Sequence, residues 1–142
     1  MREDGDLFGF ERLDVWREAV DLSCAIYELT KAFPREEMFG ISAQIRRAGV
    51  SVAANIAEGT SRSSSRDQAR FFEIAYGSLN ETMTLLHIAL RQQFLCSETF
   101  IELRRQIAGI RRMLSGLKRS TLHGSNPSLN PKHRLNELWN RR

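Results

Sequence analysis

The chain has 142 residues, 27% of them charged and 42% hydrophobic, with a formal net charge of +4. A chain of this length forms one domain and buries a large enough core to be stable without disulfides or a structural metal. A membrane-spanning helix needs about 18 consecutive apolar residues, and no such run occurs in the sequence. The first ten residues are acidic and contain glycine, unlike a signal peptide. We therefore expect a cytoplasmic protein that does not use a membrane.

Charge is distributed unevenly along the chain. Residues 1–37 carry ten acidic and five basic side chains, whereas residues 38–119 carry twelve basic and six acidic ones. Residues 120–142 add further net positive charge. The basic character is therefore concentrated in the second half of the protein. Cys24 and Cys96 fit no metal-binding spacing, and we expect both thiols to be reduced and buried.

Apolar residues recur at spacings of three and four in four segments, which predicts four amphipathic helices at about 12–32, 40–58, 66–93 and 98–118. The core stripes of the first two are Val15, Ala19, Leu22, Ile26, Leu29 and Phe33, then Ile41, Ile45, Ala48, Val52 and Ile56. Those of the last two are Ala69, Phe72, Tyr76, Leu79, Met83, Leu86 and Leu90, then Phe100, Leu103, Ile107, Ile110, Leu114 and Leu117.

Proline, glycine and serine residues are expected to set the ends of these helices. Pro34 ends the first, because the residue before a proline is pushed out of the helical region. Gly59 suits a left-handed position after the second helix. Ser65 and Gln68 match a capping box that starts the third.

Four helices joined by short connections favour an all-α, antiparallel up-down-up-down four-helix bundle. Residues 1–11 form a lead-in, residues 12–119 the bundle, and residues 120–142 a basic tail containing Asn, Ser and Pro. Within the tail, Asn130 and Pro131 can start a short helical turn that carries Leu135, Leu138 and Trp139. We expect the tail to be mobile or to depend on a partner.

The second helix is apolar or small almost all the way round, and Glu58 is the only charge between Ala48 and Gly59. Such a helix is not expected on the surface of a lone small protein. Small residues on its back would let another helix approach closely, so we predict contact between subunits there. The candidate oligomer face consists of Val50, Ala53, Ala54 and Ala57.

Several polar residues of the second and third helices are candidates for covered positions, chiefly Asn55, Glu58, Glu73 and Glu81. They could form a binding or acid–base site, or a hydrogen-bond network that fixes helix register. The second interpretation is favoured, because buried polar groups need partners. The candidate structural network consists of Gln44, Ser51, Asn55, Glu58, Glu73 and Glu81.

No catalytic constellation is evident in the sequence. A di-metal site in a helical bundle uses Glu-x-x-His motifs, but the residue three positions before His87 is Thr84. Neither cysteine has a basic helper nearby in sequence, and no glycine-rich phosphate loop follows a strand. We expect no catalytic residue, no metal, no cofactor and no enzymatic activity.

The clearest surface pattern is basic. Two trios repeat every seven residues on the fourth helix: Arg104, Arg111 and Lys118 flank the apolar stripe, and Arg105, Arg112 and Arg119 point away from it. These cations could simply be solvated and suit the helix C-terminus. Alternatively, they bind the phosphates of a nucleic acid, which arginine holds bidentately. Such binding would be mainly to the phosphate backbone of the nucleic acid, because no base-reading motif is visible. The candidate nucleic-acid-binding residues are Arg46, Arg47, Arg62, Arg66, Arg104, Arg105, Arg111, Arg112, Lys118 and Arg119.

Several motifs together resemble a known family. They are F-x-x-L-x-V-W at 10–16, F-P at 33–34, Q-I-R-R-A at 44–48, S-V-A-A-N-I-A-E-G at 51–59, A-Y-G-S-L-N-E at 75–81 and L-S-G-L-K-R-S at 114–120. The chain is similar to the four-helix-bundle proteins encoded by intervening sequences in bacterial large-subunit (23S) ribosomal RNA genes. Their superfamily includes the accessory variability protein (Avd) of diversity-generating retroelements. The resemblance implies an up-down-up-down bundle, no known catalytic activity, a ring-like homopentamer, and a basic surface that engages RNA or a reverse transcriptase.

Two functions from different classes follow from these observations. The first is a non-enzymatic oligomeric bundle that binds RNA, DNA or a nucleoprotein partner through its arginine-rich surface. The second is a structural or protein-interaction module whose charges serve only solubility. Salt-dependent nucleic-acid affinity separates the two.

Overall fold

The computed structural model describes residues 4–123, which form four α-helices preceded and joined by short turns. The helices are α1 (Asp14–Thr30), α2 (Ile41–Ser61), α3 (Ser65–Arg91) and α4 (Ser97–His123). Short 3₁₀ helices occupy Asp4–Asp6, Gly9–Arg12 and Arg35–Glu37. Within residues 4–123 there is no strand. The predicted helical turn at 130–139 lies outside the described residues.

Contacts between α1 and α2 show that these two helices run antiparallel. Between α1 and α2, a Cβ on Gly49 would lie 2.9 Å from Cδ1 of Ile26, and Arg46 contacts Thr30 further along α1. On the other side of the bundle, α4 packs against both α3 and α1. The predicted all-α four-helix bundle is therefore confirmed.

The packing of α2 and α3 is equally clear. The Oγ atoms of Ser51 and Ser78 are 2.8 Å apart, and a Cβ on Gly59 would lie 2.7 Å from Cε1 of Phe72. Lower residue numbers of α2 thus face higher numbers of α3, which is the antiparallel arrangement.

The core is built from the predicted apolar stripes. All six stripe residues of α4 are buried. Burial of each large aliphatic side chain contributes about 1.5–3 kcal/mol to the free energy of folding. The α3 stripe is broader than predicted, because this helix packs against both α2 and α4 and also buries Ala75, Thr82, Leu85 and Ala89. Tyr76, Met83 and Leu90 are only partly buried and pack against the core from its edge.

The structure corrects the predicted end of α2. The helix continues through Gly59 to Ser61, and no glycine in the described part of the chain has a positive φ. Gly59 is buried against Phe72, which leaves no room for a side chain. Close helix packing, and not a left-handed turn, explains this glycine.

Two further corrections concern the start of α3 and the length of α4. The N-cap of α3 is Ser64, whose Oγ accepts a hydrogen bond from the backbone N–H of Asp67 at 3.1 Å. The predicted capping box of Ser65 and Gln68 is therefore wrong: the cap lies one residue earlier, and Gln68 Nε2 instead donates to the carbonyl oxygen of Arg62 at 2.8 Å. The fourth helix, α4, includes residues 120–123, which were predicted to belong to the tail.

The two cysteines are free, as expected, but both are exposed. Cys96 precedes α4, with its Sγ 3.1 Å from Oγ1 of Thr99. The prediction of buried thiols was wrong: Cys24 lies outside the core stripe of α1, and Cys96 lies in the connection before α4.

Candidate nucleic-acid interface

The outward-facing trio of α4 forms an exposed row of guanidinium groups. Arg105, Arg112 and Arg119 are all exposed, and seven residues of α-helix rise about 10.5 Å. The row therefore covers roughly 21 Å of the helix surface. Among residues 4–123, no carboxylate forms an ion pair with any of the three. Their charge is thus available to an external anion.

The second trio follows the seam between α4 and α3. Nη1 of Arg104 lies 3.5 Å from Nε2 of His87, and Nζ of Lys118 lies 3.4 Å from Oε1 of Glu73. Arg111, between them on α4, is exposed. Glu73 is therefore the one acid, within the described residues, that pairs with a basic side chain of α4.

The two trios border a narrow strip with little charge. Ile101 and Leu122 are 53% and 47% exposed at the two ends of this strip, and Ala108 and Ser115 are half-buried between them. Arginine methylene groups can lie along such apolar surface while the guanidinium stays in water. We call this surface of α4, with its two trios, the basic face.

The arginines around the α2–α3 turn form a separate cluster centred on Phe71. The guanidinium carbon of Arg62 lies 4.6 Å from the ring centroid of Phe71, and that of Arg70 lies 5.3 Å from it. Arg62 is partly neutralised, because its Nη2 is 3.1 Å from Oε2 of Glu58. Arg66 is exposed at the start of α3.

Arg46 does not join the basic face. Its Nε donates to Oγ1 of Thr30 at 2.7 Å, and its guanidinium carbon lies 4.9 Å from the centroid of the Tyr27 ring. These contacts tie α2 to α1, on the side of the bundle away from the basic face. Arg47 is exposed on α2. The ten candidate residues therefore divide into the basic face, the Phe71 cluster and two arginines of α2.

The polar residues of α2 and α3 make several cross-helix contacts. Gln44 Nε2 donates to Oε1 of Glu81 at 3.3 Å. Asn55 Nδ2 donates to both the carbonyl oxygen and Oγ of Ser51, at 2.8 and 3.0 Å, and Ser51 reaches Ser78 on α3. Ser78 was not included in the predicted network. A serine next to Gly77 in the middle of a long helix indicates close contact with another helix, and this signal could have identified it.

The three glutamates expected in covered positions, Glu58, Glu73 and Glu81, are all exposed. Glu58 and Glu73 have side chains 55% and 69% exposed, and Glu81 is also exposed. Glu58 pairs along its own helix with Arg62, and Glu73 pairs with Lys118. The sequence around these glutamates contains few other charges, which led to the wrong prediction that they are covered. Of the four residues expected in covered positions, only Asn55 is partly buried.

The candidate oligomer face lies on the outside of α2. Val50 is 43% exposed and Ala54 is exposed, whereas Ala53 and Ala57 are half-buried. On α3, Ile74 is 44% exposed. Mutations at Ala53 would also disturb its packing against the core, so Ala54 is the better position for testing this surface.

The described part of the chain offers no metal site and no membrane span. Within residues 4–123, no three His, Cys, Asp or Glu side chains are grouped so that they could hold a metal ion. In the same range, no helix combines the length and apolarity needed to cross a membrane.

The helix order and the shared core define the class of this molecule as an all-α four-helix-bundle protein. Residues 11–116 match the family of 23S rRNA-intervening sequence proteins, and the chain belongs to this family. The resemblance proposed from the sequence motifs is thereby confirmed at the level of the family.

A solved structure supports the same assignment. The chain is similar to a protein of unknown function from the S23 ribosomal protein family of Bacteroides thetaiotaomicron VPI-5482. The two share 26% sequence identity, and the match covers 74% of this chain and 95% of that chain with a TM-score of 0.69. No curated protein matches the sequence. Neither the family description nor that of the solved relative names an enzymatic activity.

Proposed function

We propose that this protein is a non-enzymatic, cytoplasmic RNA-binding protein that holds the phosphate backbone of its target with the basic face of α4. The observation that carries the proposal is the row formed by Arg105, Arg112 and Arg119. All three are exposed and have no carboxylate partner among the described residues.

The physical basis is the release of counterions from the nucleic acid. Each phosphate that a basic side chain neutralises frees condensed cations, so affinity falls linearly with salt on logarithmic axes. Arginine suits this role because its planar guanidinium makes paired hydrogen bonds to phosphate oxygens. A row of about 21 Å on a rigid helix presents these groups to several phosphates at once.

The proposal includes assembly of several copies through the outer face of α2. Val50, Ala54 and Ile74 expose apolar or small side chains on adjoining helices, which is the composition of a contact surface. Resemblance to the accessory proteins of retroelements favours a homopentamer. Several copies would multiply the number of phosphate contacts and raise the overall affinity without any new contact within one subunit.

An alternative function is protein interaction. The observation in its favour is the strip from Ile101 to Leu122, because exposed isoleucine and leucine side chains contribute nothing to phosphate binding. In this case the basic face would recognise an acidic protein surface, and the affinity for RNA at physiological salt would be negligible.

The experiment compares two triple variants by fluorescence anisotropy with a labelled RNA hairpin of mixed sequence. Arg105→Gln/Arg112→Gln/Arg119→Gln should weaken binding and lower the slope of log K against log salt by about 2 to 3. The matched control is Arg17→Gln/Lys31→Gln/Arg35→Gln, which removes equal charge from exposed positions in and just after α1. Equal losses in both variants, or no measurable affinity of the unmodified protein, would refute the proposal. A duplex DNA of the same sequence tests whether RNA is preferred.

A further inference from the structure

An apolar groove with an acidic rim runs between α1 and α4. It has a volume of about 380 Å³, and its floor contains Ala25, Leu29, Ala32 and Leu103. The rim contains Glu28 on α1 and Glu102 on α4. Leu29 is only partly buried and Ala32 is exposed, so the groove presents apolar surface that the described residues leave uncovered.

The carboxylates along this groove attract a cation. Glu102 has no ion-pair partner within residues 4–123. Glu28 is paired with Lys31 at 2.9 Å, but its side chain is 77% exposed. Further along the same seam, Oε2 of Glu18 and Nη2 of Arg112 both lie 3.9 Å from the position that a Cβ on Gly109 would occupy, so the acidic surface open to an external cation is the part around Glu28 and Glu102. An occupant that matches this surface is apolar on one side and basic at its edges.

The end of the same chain has this composition. Leu135, Leu138 and Trp139 have the spacing that places three side chains on one face of a helical turn. The flanking basic residues are Lys132, Arg134, Arg141 and Arg142, and Glu137 is the single acid from residue 124 onwards. The sequence of the tail is thus complementary to the groove in both apolarity and charge.

The length of the intervening chain permits the contact. The groove lies near Leu103, and the described part of α4 ends at His123, a separation of about 30 Å along the helix axis. The stretch from His123 to Leu135 spans up to about 40 Å when extended. The intervening chain is therefore long enough for the tail of a subunit to reach the groove of the same subunit.

We propose that the C-terminal segment from Pro131 to Arg142 docks intramolecularly into the α1/α4 groove. Leu135, Leu138 and Trp139 cover the apolar floor, and the neighbouring basic residues pair with Glu28 and Glu102. This contact does not use the outward row of arginines, because none of Arg105, Arg112 and Arg119 lines the groove. The docked tail brings its positive charge to the acidic side of the molecule.

Disulfide trapping in the full-length chain tests this contact. In a Cys24→Ser/Cys96→Ser background, Ala32→Cys is combined with Leu138→Cys, and the rate of disulfide formation is measured on a non-reducing gel. The control combines Asn80→Cys with Leu138→Cys. Contacts of Glu73 with Lys118 and of His87 with Arg104 place Asn80 level with the middle of α4, nearer to His123 than Ala32 is. An undocked tail would therefore favour the control.

We expect the Ala32 pair to form an intrachain disulfide at least about tenfold faster than the Asn80 pair. Adding Glu28→Gln and Glu102→Gln should slow it, since both side chains are exposed and their loss removes the charge attraction. Equal rates for the two pairs would overturn the proposal. So would a disulfide that forms only between chains at a rate that rises with protein concentration, because the tail would then belong to a second copy.

A second readout does not depend on engineered cysteines. In a Trp16→Phe chain, Trp139 is the only tryptophan, and its emission should be blue-shifted by contact with the groove. Ala32→Arg, at an exposed position, should block the groove and shift the emission to the red. If both chains show the emission maximum of a fully solvent-exposed tryptophan, the result contradicts docking.

Discussion

Gly59 lies directly against the ring of Phe72, and a Cβ on residue 59 would stand 2.7 Å from Cε1 and 2.9 Å from Cδ1 of that ring. The carbonyl oxygen of Gln68 would lie 3.1 Å away on another side. Phe72 is one of the largest fully buried side chains of the core. A methyl group at this position therefore meets atoms that have little freedom to move.

The Gly59→Ala variant should be less stable than the unmodified protein by about 1–3 kcal/mol, the usual cost of overpacking a core. Urea unfolding followed by circular dichroism measures this difference. The matched control is Gly116→Ala, also within a long helix, where an added Cβ meets nothing within 4 Å. There alanine should stabilise the protein by up to about 1 kcal/mol through its higher helix propensity. The same sign for both variants would contradict the close packing of Gly59.

The hydrogen bond between Ser51 and Ser78 should appear as an energetic coupling between α2 and α3. In a double-mutant cycle with Ser51→Ala and Ser78→Ala, we expect a coupling of about 0.5–1.5 kcal/mol, the typical value of a net hydrogen bond. Ser51→Ala also removes the bond from Asn55 to Ser51 Oγ, but Asn55 should keep its bond to the carbonyl oxygen of Ser51. Ser51→Ala with Ser115→Ala is the control pair, and its effects should add within about 0.5 kcal/mol.

Helical periodicity was sufficient to predict the number and order of the helices, and it was most accurate for α4. Each of its six predicted stripe residues is buried, because large apolar residues follow the three-four spacing along α4 without a break. The same pattern missed Ala75, Thr82 and Ala89 of α3. Alanine and threonine carry little hydrophobic signal, and Leu85, which is also buried, lies one position before Leu86 and so outside the predicted spacing.

The sequence predicts which basic residues share one side of α4, but it does not predict which residues of other helices the basic side chains contact. A seven-residue repeat places Arg105, Arg112 and Arg119 on one side of α4 from the sequence alone. In contrast, the partners of Arg46 and Lys118 belong to other helices, namely Thr30 and Glu73. Local sequence contains no information on which helix packs beside which, so these neutralising or anchoring contacts appear only in the folded structure.

The Ala54→Arg variant should prevent assembly through the outer face of α2. Ala54 is exposed in the protomer, so the substitution leaves the core intact and the thermal midpoint of the dissociated subunit nearly unchanged. A buried, unpaired arginine at a subunit contact is strongly unfavourable. Analytical ultracentrifugation at micromolar concentration should show a lower mass than for the unmodified protein. Asn80→Arg, also at an exposed position, is the control and should keep the mass of the unmodified protein. Unmodified protein that sediments as a monomer would refute this interface.

Removal of Glu73, the one acid within residues 4–123 that pairs with the basic face, should strengthen RNA binding. Glu73 lies 3.4 Å from Lys118, and both side chains are substantially exposed, at 69% and 37%. An exposed ion pair of this kind contributes at most about 1 kcal/mol to stability, so Glu73→Gln should unfold at nearly the same urea concentration as the unmodified protein. The freed lysine and the loss of a repelling carboxylate should raise the affinity for the labelled hairpin roughly a few-fold, and more at low salt.

The matched control for this change is Glu28→Gln. Glu28 is also an exposed glutamate paired with a lysine, at 2.9 Å from Lys31, but it lies on α1 beside the acidic groove. Both variants raise the net charge by the same amount, so any effect of overall charge is common to them. A larger gain for Glu73→Gln than for Glu28→Gln locates the RNA on the α3/α4 side of the bundle. Equal gains in affinity would mean that RNA binding depends only on the net charge of the protein. The proposal that the basic face binds RNA would then be wrong.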